Sequence, residues 1–271
     1  MLTQSQLGAY FDRIAWTGGT EPTFETLAGL LEAHTAAVPF ENFDVLLGRP
    51  VLLDVDSLER KLVRARRGGY CFEQATWFAV VLETLGFAPV RHAARVVLGG
   101  SPQTATRSHM FLTVETGGRR FVVDPGFGGL SARTPVPLAE GDRGTFRRDA
   151  HRIVRERGAW DLRAQRASDD TEIAGWVSTL EEENPSDFVV ANHYISTHPD
   201  SPFVNALMLN AMTETGRVSV LNQGVTIVRD GAVTTAQLAD RADLRAFVAE
   251  HFGFDLPEIE ALAVPAVAAW G

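Results

Sequence analysis

Cysteine is almost missing from this chain of 271 residues: Cys71 is the only one, which excludes any intramolecular disulfide and points to a reducing compartment. The N-terminus Met1-Leu2-Thr3-Gln4 lacks the basic start and apolar core of a secretory signal, so the cytoplasm is the expected location. No window approaches the roughly 18 consecutive apolar residues of a spanning helix. Positive charge is in deficit, with 25 basic against 34 acidic residues and a formal net charge of -9. That balance argues against bulk attraction to nucleic acid or an anionic membrane and leaves only a local basic patch for a phosphorylated ligand. Lysine is rarer still, since every basic residue except Lys61 is arginine. The histidines show no HExxH spacing, and with one cysteine neither a zinc site nor another metal centre is expected. Neither an internal repeat nor a low-complexity linker interrupts the chain, so its parts should pack on one another.

What is present is an ordinary globular composition, 45% hydrophobic and 22% charged, in a length that supports a substantial core and two or three subdomains. Residues 1 to about 88 read as helical. Leu7, Tyr10, Phe11 and Ile14 share one face, Phe24, Leu27, Leu30 and Leu31 another, and Leu58, Leu62 and Val63 a third. From Val90 the period becomes two: Val90, His92, Ala94, Val96 and Leu98 alternate with Arg91, Ala93, Arg95 and Val97 as far as Gly99-Gly100. Strands dominate from there to about residue 165. After a stretch with only a weak helix pattern, Val218 to Arg229 reads as strand before an Asp230-Gly231 turn, and Ala242 to Phe252 reads as helix.

Cys71 stands in Arg67-Gly68-Gly69-Tyr70-Cys71-Phe72-Glu73, where two glycines give way to apolar residues at helical spacing: Ala75, Phe78, Ala79, Leu82 and Leu85, stopped by Gly86. A helix over 71–85 places the thiol in the first turn, where unpaired N–H groups and the positive end of the helix dipole stabilise a thiolate. A lone cysteine is equally read as a small buried hydrophobe. The glycine turn and the flanking charges Arg67 and Glu73 favour a nucleophile.

The segments His109–Glu115 and Arg119–Asp124 flank Gly117-Gly118, a two-residue hairpin signal. If those glycines form the turn, Asp124 lies opposite Phe111, and His109 shares a face with Phe111. His109 and Asp124 then become diagonal neighbours with Cα atoms roughly 7–8 Å apart, a gap that carboxylate and imidazole can bridge. A register slip of one would part them. Singly, His109 reads as a core or surface residue and Asp124 as a turn former. Jointly with Cys71 they supply nucleophile, base and orienter, with a thiolate–imidazolium pair as resting state.

The motifs Val38-Pro39-Phe40-Glu41-Asn42-Phe43, Arg67–Glu73, Ser108-His109-Met110, Val123-Asp124-Pro125-Gly126-Phe127-Gly128-Gly129 and Ser196–Phe203 occur in an order and spacing that resembles the arylamine N-acetyltransferases. The resemblance covers most of the chain and loosens over the last 70 or so residues. It implies an α+β fold: an N-terminal helical bundle (1–88) carrying the cysteine, a central antiparallel β-barrel (89–190) carrying His and Asp, and a C-terminal α/β lid (191–271), around a cysteine-protease-like Cys-His-Asp core. It further implies a Cys71, His109, Asp124 triad that moves an acetyl group from acetyl-CoA to an arylamine or arylhydrazine by a ping-pong route through an acetyl-cysteine. Phe40, Val96 and Phe127 match residues lining the acceptor pocket, and Phe203 matches one near the CoA cleft. Gly126, Gly128 and Gly129 match a loop that lies close to the pantetheine. Arg67 and Glu41 look like a structural ion pair holding the cysteine loop. Two departures, Ala75 after Gln74 and Pro125 after Asp124, fall beside the acceptor pocket.

Other readings share parts of this pattern. An amide synthase that closes an acyl chain onto an aromatic amine, as in the ansamycin macrolactam enzymes, would use the same triad. A cysteine hydrolase or transglutaminase would share the triad without the surrounding motifs. A CoA-binding relative without turnover would need no complete triad.

Overall fold

The computed structural model describes residues 1–98, 100–147, 149–165 and 171–270. The expected strand end at Gly99 therefore lies outside the described residues. The helical region comprises α1 (Gln4–Ile14), α2 (Phe24–Ala37), the short α3 (Phe43–Leu46) and α4 (Val55–Leu58), a π-helical segment Glu59–Arg64, and α5 (Cys71–Thr84). Thr3 caps α1 through the backbone N–H of Gln6, and Thr23 caps α2 through that of Thr26. In α5 Phe72, Trp77, Phe78, Val81 and Leu82 are all fully buried. A helix apolar all round belongs at the centre of a core. Each such side chain contributes about 1.5–3 kcal/mol of burial free energy.

Eight antiparallel strands follow: β1 (Val90–Val96), β2 (Arg107–Thr116), β3 (Arg119–Val123), β4 (Val136–Pro137), β5 (Arg143–Phe146), β6 (Asp149–Glu156), β7 (Ala159–Gln165) and β8 (Glu172–Ser178). Their order in the sheet is β4-β3-β2-β1-β8-β7-β6-β5. The two end strands approach each other so closely that a Cβ on Gly144 of β5 would lie 3.1 Å from the Pro135 carbonyl oxygen. The sheet is thus a nearly closed barrel. Its interior is filled by Ala94, Phe111, Val122, Ile153, Leu162 and Trp176, among others. The neighbouring residues Met110, Leu112 and Val114 of β2 pack instead with α5. With both faces of β2 buried, its sequence carries no polar alternation.

Gly117 and Gly118 both adopt positive φ and close the β2–β3 hairpin, with Leu112 opposite Val123 and Thr116 opposite Arg119. This is the register in which Asp124 follows on opposite Phe111. Leu98, expected in the alternation of β1, lies beyond its end, exposed and at φ 41°.

The C-terminal region holds α6 (Pro185–Thr197), α7 (Pro202–Asn205), a four-stranded antiparallel sheet of β9 (Met208–Thr213), β10 (Gly216–Leu221), β11 (Gly224–Arg229) and β12 (Ala232–Gln237), and α8 (Arg241–Phe252). The single strand expected over Val218–Arg229 is two strands. A turn at Asn222-Gln223, with Asn222 at φ 57°, reverses the chain between them. The boundary expected between residues 190 and 191 falls inside α6, whose Phe188 and Ile195 pack into the same core as α5. No helix of the described residues is long and apolar enough to cross a membrane.

Candidate active site

Cys71 is the first residue of α5 and is buried, with its Sγ 3.7 Å from the Ser108 carbonyl oxygen of β2. The next residue of β2, His109, reaches the end of β3. There its Nε2 donates to Asp124 Oδ2 at 2.8 Å, which leaves Nδ1 for the thiol. All three side chains are almost fully buried. Burial alone would drive the His109 ring neutral. The Asp124 carboxylate and the interaction with Cys71 outweigh it and hold the imidazolium up to about 10. The hairpin register therefore delivers the pair that it promised, and α5 delivers the thiol to it.

Sequence reasoning missed a second donor to the carboxylate. Trp176 of β8 donates its indole N–H to the same Asp124 Oδ2 at 2.8 Å, while buried Oδ1 has no hydrogen-bond partner among the described residues. Trp176 lies 52 residues from Asp124 and arrives only because β8 pairs with β1 as the barrel curls. No local signal marks it.

The loop carrying Cys71 is held from three sides. Along one, Phe40 exchanges backbone hydrogen bonds of 2.7 and 2.9 Å with Asn210 of β9, while Gly69 bonds Pro39 and Glu41 on either side of it. The C-terminal sheet, Phe40 and the nucleophile loop thus form one bonded strip. Gly68 is required there, since a Cβ would lie 2.0 Å from the Pro39 carbonyl oxygen.

The second support is a cluster of buried charge. Arg67 pairs with Glu41 at 2.7 Å and Asp44 at 2.8 Å, and Lys61, from the π-helical segment, pairs with Asp44 and Glu73 at 2.7 Å each. Burial works against both cations, yet the facing carboxylates raise their proton affinity above the ordinary values. Glu73 is pushed up to about 6 by burial, against the pull of Lys61. The expected Arg67–Glu41 pair is present, and the sole lysine of the chain belongs to the same cluster. The third support is a neutral chain. Tyr10 Oη lies 2.9 Å from His34 Nδ1, His34 Nε2 lies 3.3 Å from Gln74 Oε1, and Gln74 Nε2 donates to the carbonyls of Gly69 and Pro39.

Of the other candidate residues, Phe40 and Phe203 are half-buried neighbours with ring centroids 6.0 Å apart. Phe127 is half-buried against the His109 ring at 4.8 Å. Val96, at the end of β1, pairs with Trp176 across the sheet and is also half-buried. Gly126 approaches Cys71 itself, since a Cβ there would lie 2.8 Å from Cys71 Cα. Gly128 adopts φ +63° beside Phe40 and Asn210, and a Cβ on Gly129 would lie 2.7 Å from Asn210 Oδ1. Each of these glycines makes a close approach to the protein's own chain. Among the described residues no group of His, Cys, Asp and Glu is placed to hold a metal ion.

A family model described as N-acetyltransferase matches residues 23–261. The arylamine N-acetyltransferase of Escherichia coli is 36% identical over 258 residues, covering 93% of this chain and 90% of that protein. The Mycobacterium tuberculosis enzyme of the same name is 35% identical over the same shares. Among solved structures, Mycobacterium marinum arylamine N-acetyltransferase in complex with CoA superposes with a TM-score of 0.88 at 32% identity, over 93% of this chain and 94% of that one. The M. tuberculosis structure does so with a TM-score of 0.88 at 36% identity, again over 93% and 94%. A thiol, an imidazole and a carboxylate brought together by a helix start and a barrel hairpin, in a chain alike over nearly its whole length, make this protein a member of the arylamine N-acetyltransferase family.

Proposed function

We propose that Cys71, His109 and Asp124 are the catalytic triad of an acetyl-CoA-dependent arylamine N-acetyltransferase working by a ping-pong route. The observation that supports this best is the buried 2.8 Å bond from His109 to Asp124 beside a thiol at a helix start. The Cys71 thiolate attacks the thioester carbonyl carbon of acetyl-CoA, and the carbonyl electron pair moves onto oxygen. Backbone N–H groups in the first turn of α5 are the natural donors to that oxyanion. Collapse breaks the bond to the CoA sulfur, and the His109 imidazolium gives its proton to the departing thiolate. The amine nitrogen then attacks the acetyl-cysteine carbonyl, loses a proton to the now neutral His109, and expels Cys71 as thiolate. A thioester intermediate stays activated while a neutral arylamine remains nucleophilic with little help from a base.

On this reading Phe40, Val96 and Phe127 contact the acceptor, and Phe203, with the loop of Gly126 and Gly128, contacts CoA. A CoA complex of a relative supports CoA as donor. The relatives named above are acetyltransferases, which favours this reading over a macrolactam-forming amide synthase. The chain is organised as a helical part over 1–88, a barrel over 89–190 and a lid over 191–271, with α6 tying the last two to the first. A single reduced thiol suits the cytoplasm. The test is intact-protein mass after mixing with acetyl-CoA. The protein should gain one acetyl group and pass it to an added arylamine, whereas Cys71→Ala should gain none. Turnover surviving in Cys71→Ala would overturn the mechanism. A panel of arylamines, hydrazines and longer acyl-CoAs would then define both specificities.

A further inference from the structure

The carboxylate that orients His109 has two hydrogen-bond donors for its two oxygens, and both use the same oxygen. His109 Nε2 and Trp176 Nε1 each donate to Asp124 Oδ2 at 2.8 Å, while buried Oδ1 has no hydrogen-bond partner among the described residues. A protein donor to a buried carboxylate both fixes its orientation and favours its charged form. Trp176 is fully buried, and its ring stacks on Phe111 with centroids 4.1 Å apart at 23°. Buried indoles do not always bond in this protein, since the buried N–H groups of Trp77 and Trp270 have no partner among the described residues. The Trp176 N–H is aimed at the one acceptor that matters for the proposed chemistry.

We propose that Trp176 is a positioning residue: its indole N–H holds Asp124 in line with His109 and stabilises the carboxylate charge, and thereby sets the pH at which the reactive Cys71–His109 pair forms. This rests on the triad reading. Of the titratable groups, His109 from β2 bonds the carboxylate and in turn interacts with Cys71 from α5, and His151 from β6 feels the carboxylate charge. His151 is lowered by burial despite the Leu130 carbonyl and the nearby Asp149 and Asp124. From β1, His92 approaches only through Phe111 and is lowered by burial, its nitrogens bonded to the Glu181 carbonyl and Thr113. Neither supplies the donor that would be lost with Trp176.

Trp176→Phe keeps an aromatic ring against Phe111 and deletes the N–H. Without that donor the carboxylate is held less firmly in line with His109, its grip on the imidazolium weakens, and the thiolate paired with that imidazolium becomes less populated. The rate of Cys71 alkylation by iodoacetamide, followed against pH by intact mass, should therefore keep its alkaline plateau while its acid limb moves up by about one pH unit, as expected for loss of one hydrogen bond to a charged group. Acetylation should fall about tenfold in kcat at neutral pH, with KM for acetyl-CoA unchanged. An acid limb that stays in place, even with reduced activity, would reduce Trp176 to packing and overturn the proposal. The wild-type profile separates this from failure of the triad itself: if wild-type Cys71 alkylates only like a free thiol of pKa about 8.5, the triad reading falls. A second measurement does not depend on the variant folding. In wild-type protein labelled with 15N-tryptophan, one indole N–H signal should titrate with the same midpoint as Cys71 alkylation and move again when Asp124→Asn is introduced. Indole signals indifferent to both would equally sink the proposal.

Discussion

Two histidines packed against α5 are equally buried and hold protons with opposite strength. His34, in α2, is lowered by burial to about 3, whereas His109 is raised to about 10 although burial pulls it the same way. Their partners account for the difference. His34 meets the hydroxyl of Tyr10 and the amide of Gln74, neither of which carries charge. His109 meets a carboxylate and a thiol. The same ring is thus an inert strut in one setting and a proton carrier in the other, and the choice is made by whether an anion faces it.

The sharpest way to break that contrast is Asp124→Asn, which leaves the shape in place and removes the anion. His109 should then follow the rule that His34 obeys and lose its proton. Arylamine acetylation should fall by about 10³–10⁴-fold in kcat, the scale on which orienting carboxylates act in such triads. Stopped-time assays with acetyl-CoA and a saturating arylamine would measure it. A loss below tenfold would mean that the thiolate is sustained by the helix start alone.

The buried charges behind the cysteine loop extend the contrast to stability. Arg67→Met leaves buried Glu41 with only Lys61, 3.8 Å away, among the described cations that pair with it, and Asp44 with Lys61 and the more exposed Arg49. Breaking a buried pair by removing one partner costs about 3–5 kcal/mol. Urea unfolding should show that loss, whereas deleting a hydrogen-bonding group from the neutral Tyr10–His34–Gln74 chain should cost closer to 1–3 kcal/mol. Equal losses would show that the cluster is no more sensitive than an uncharged network.

How much of this could be read beforehand follows the sequence distance over which each feature is determined. The helix start at Cys71 and the glycine turn at Gly117-Gly118 are local, and the hairpin then places His109 and Asp124 by counting. The turn at Asn222-Gln223 was also local but hidden, because hydrophobic alternation runs on through both strands and masks the reversal. Helix α6 was faint because it buries Phe188 and Ile195 but exposes Val189 and Val190, so no clean apolar stripe appears. Trp176 and the seat of Lys61 between Asp44 and Glu73 exist only once distant elements have packed. The sole lysine was visible as a composition, but its role is a matter of position.

The smallest effect tests the inert half of the comparison. The His34 value of about 3 lies below the ordinary 6.5, so the unfolded chain takes up this proton first as the pH falls. The stability tied to a neutral His34 is therefore complete above about pH 6.5 and drains away through the window from 6.5 towards 3. His34→Gln retains an acceptor for Tyr10 and a donor for Gln74 but has no proton to gain. Whatever its stability at pH 7, the variant should lose about 2 kcal/mol less than wild type on going to pH 5, the amount linkage assigns to one such proton. Urea midpoints at pH 7, 6 and 5, read by tryptophan fluorescence, give both slopes. Parallel slopes would mean that His34 accepts its proton in the folded state near the ordinary value. Burial beside neutral partners would then not separate the two histidines, and the high proton affinity of His109 would need a cause other than the anions that face it.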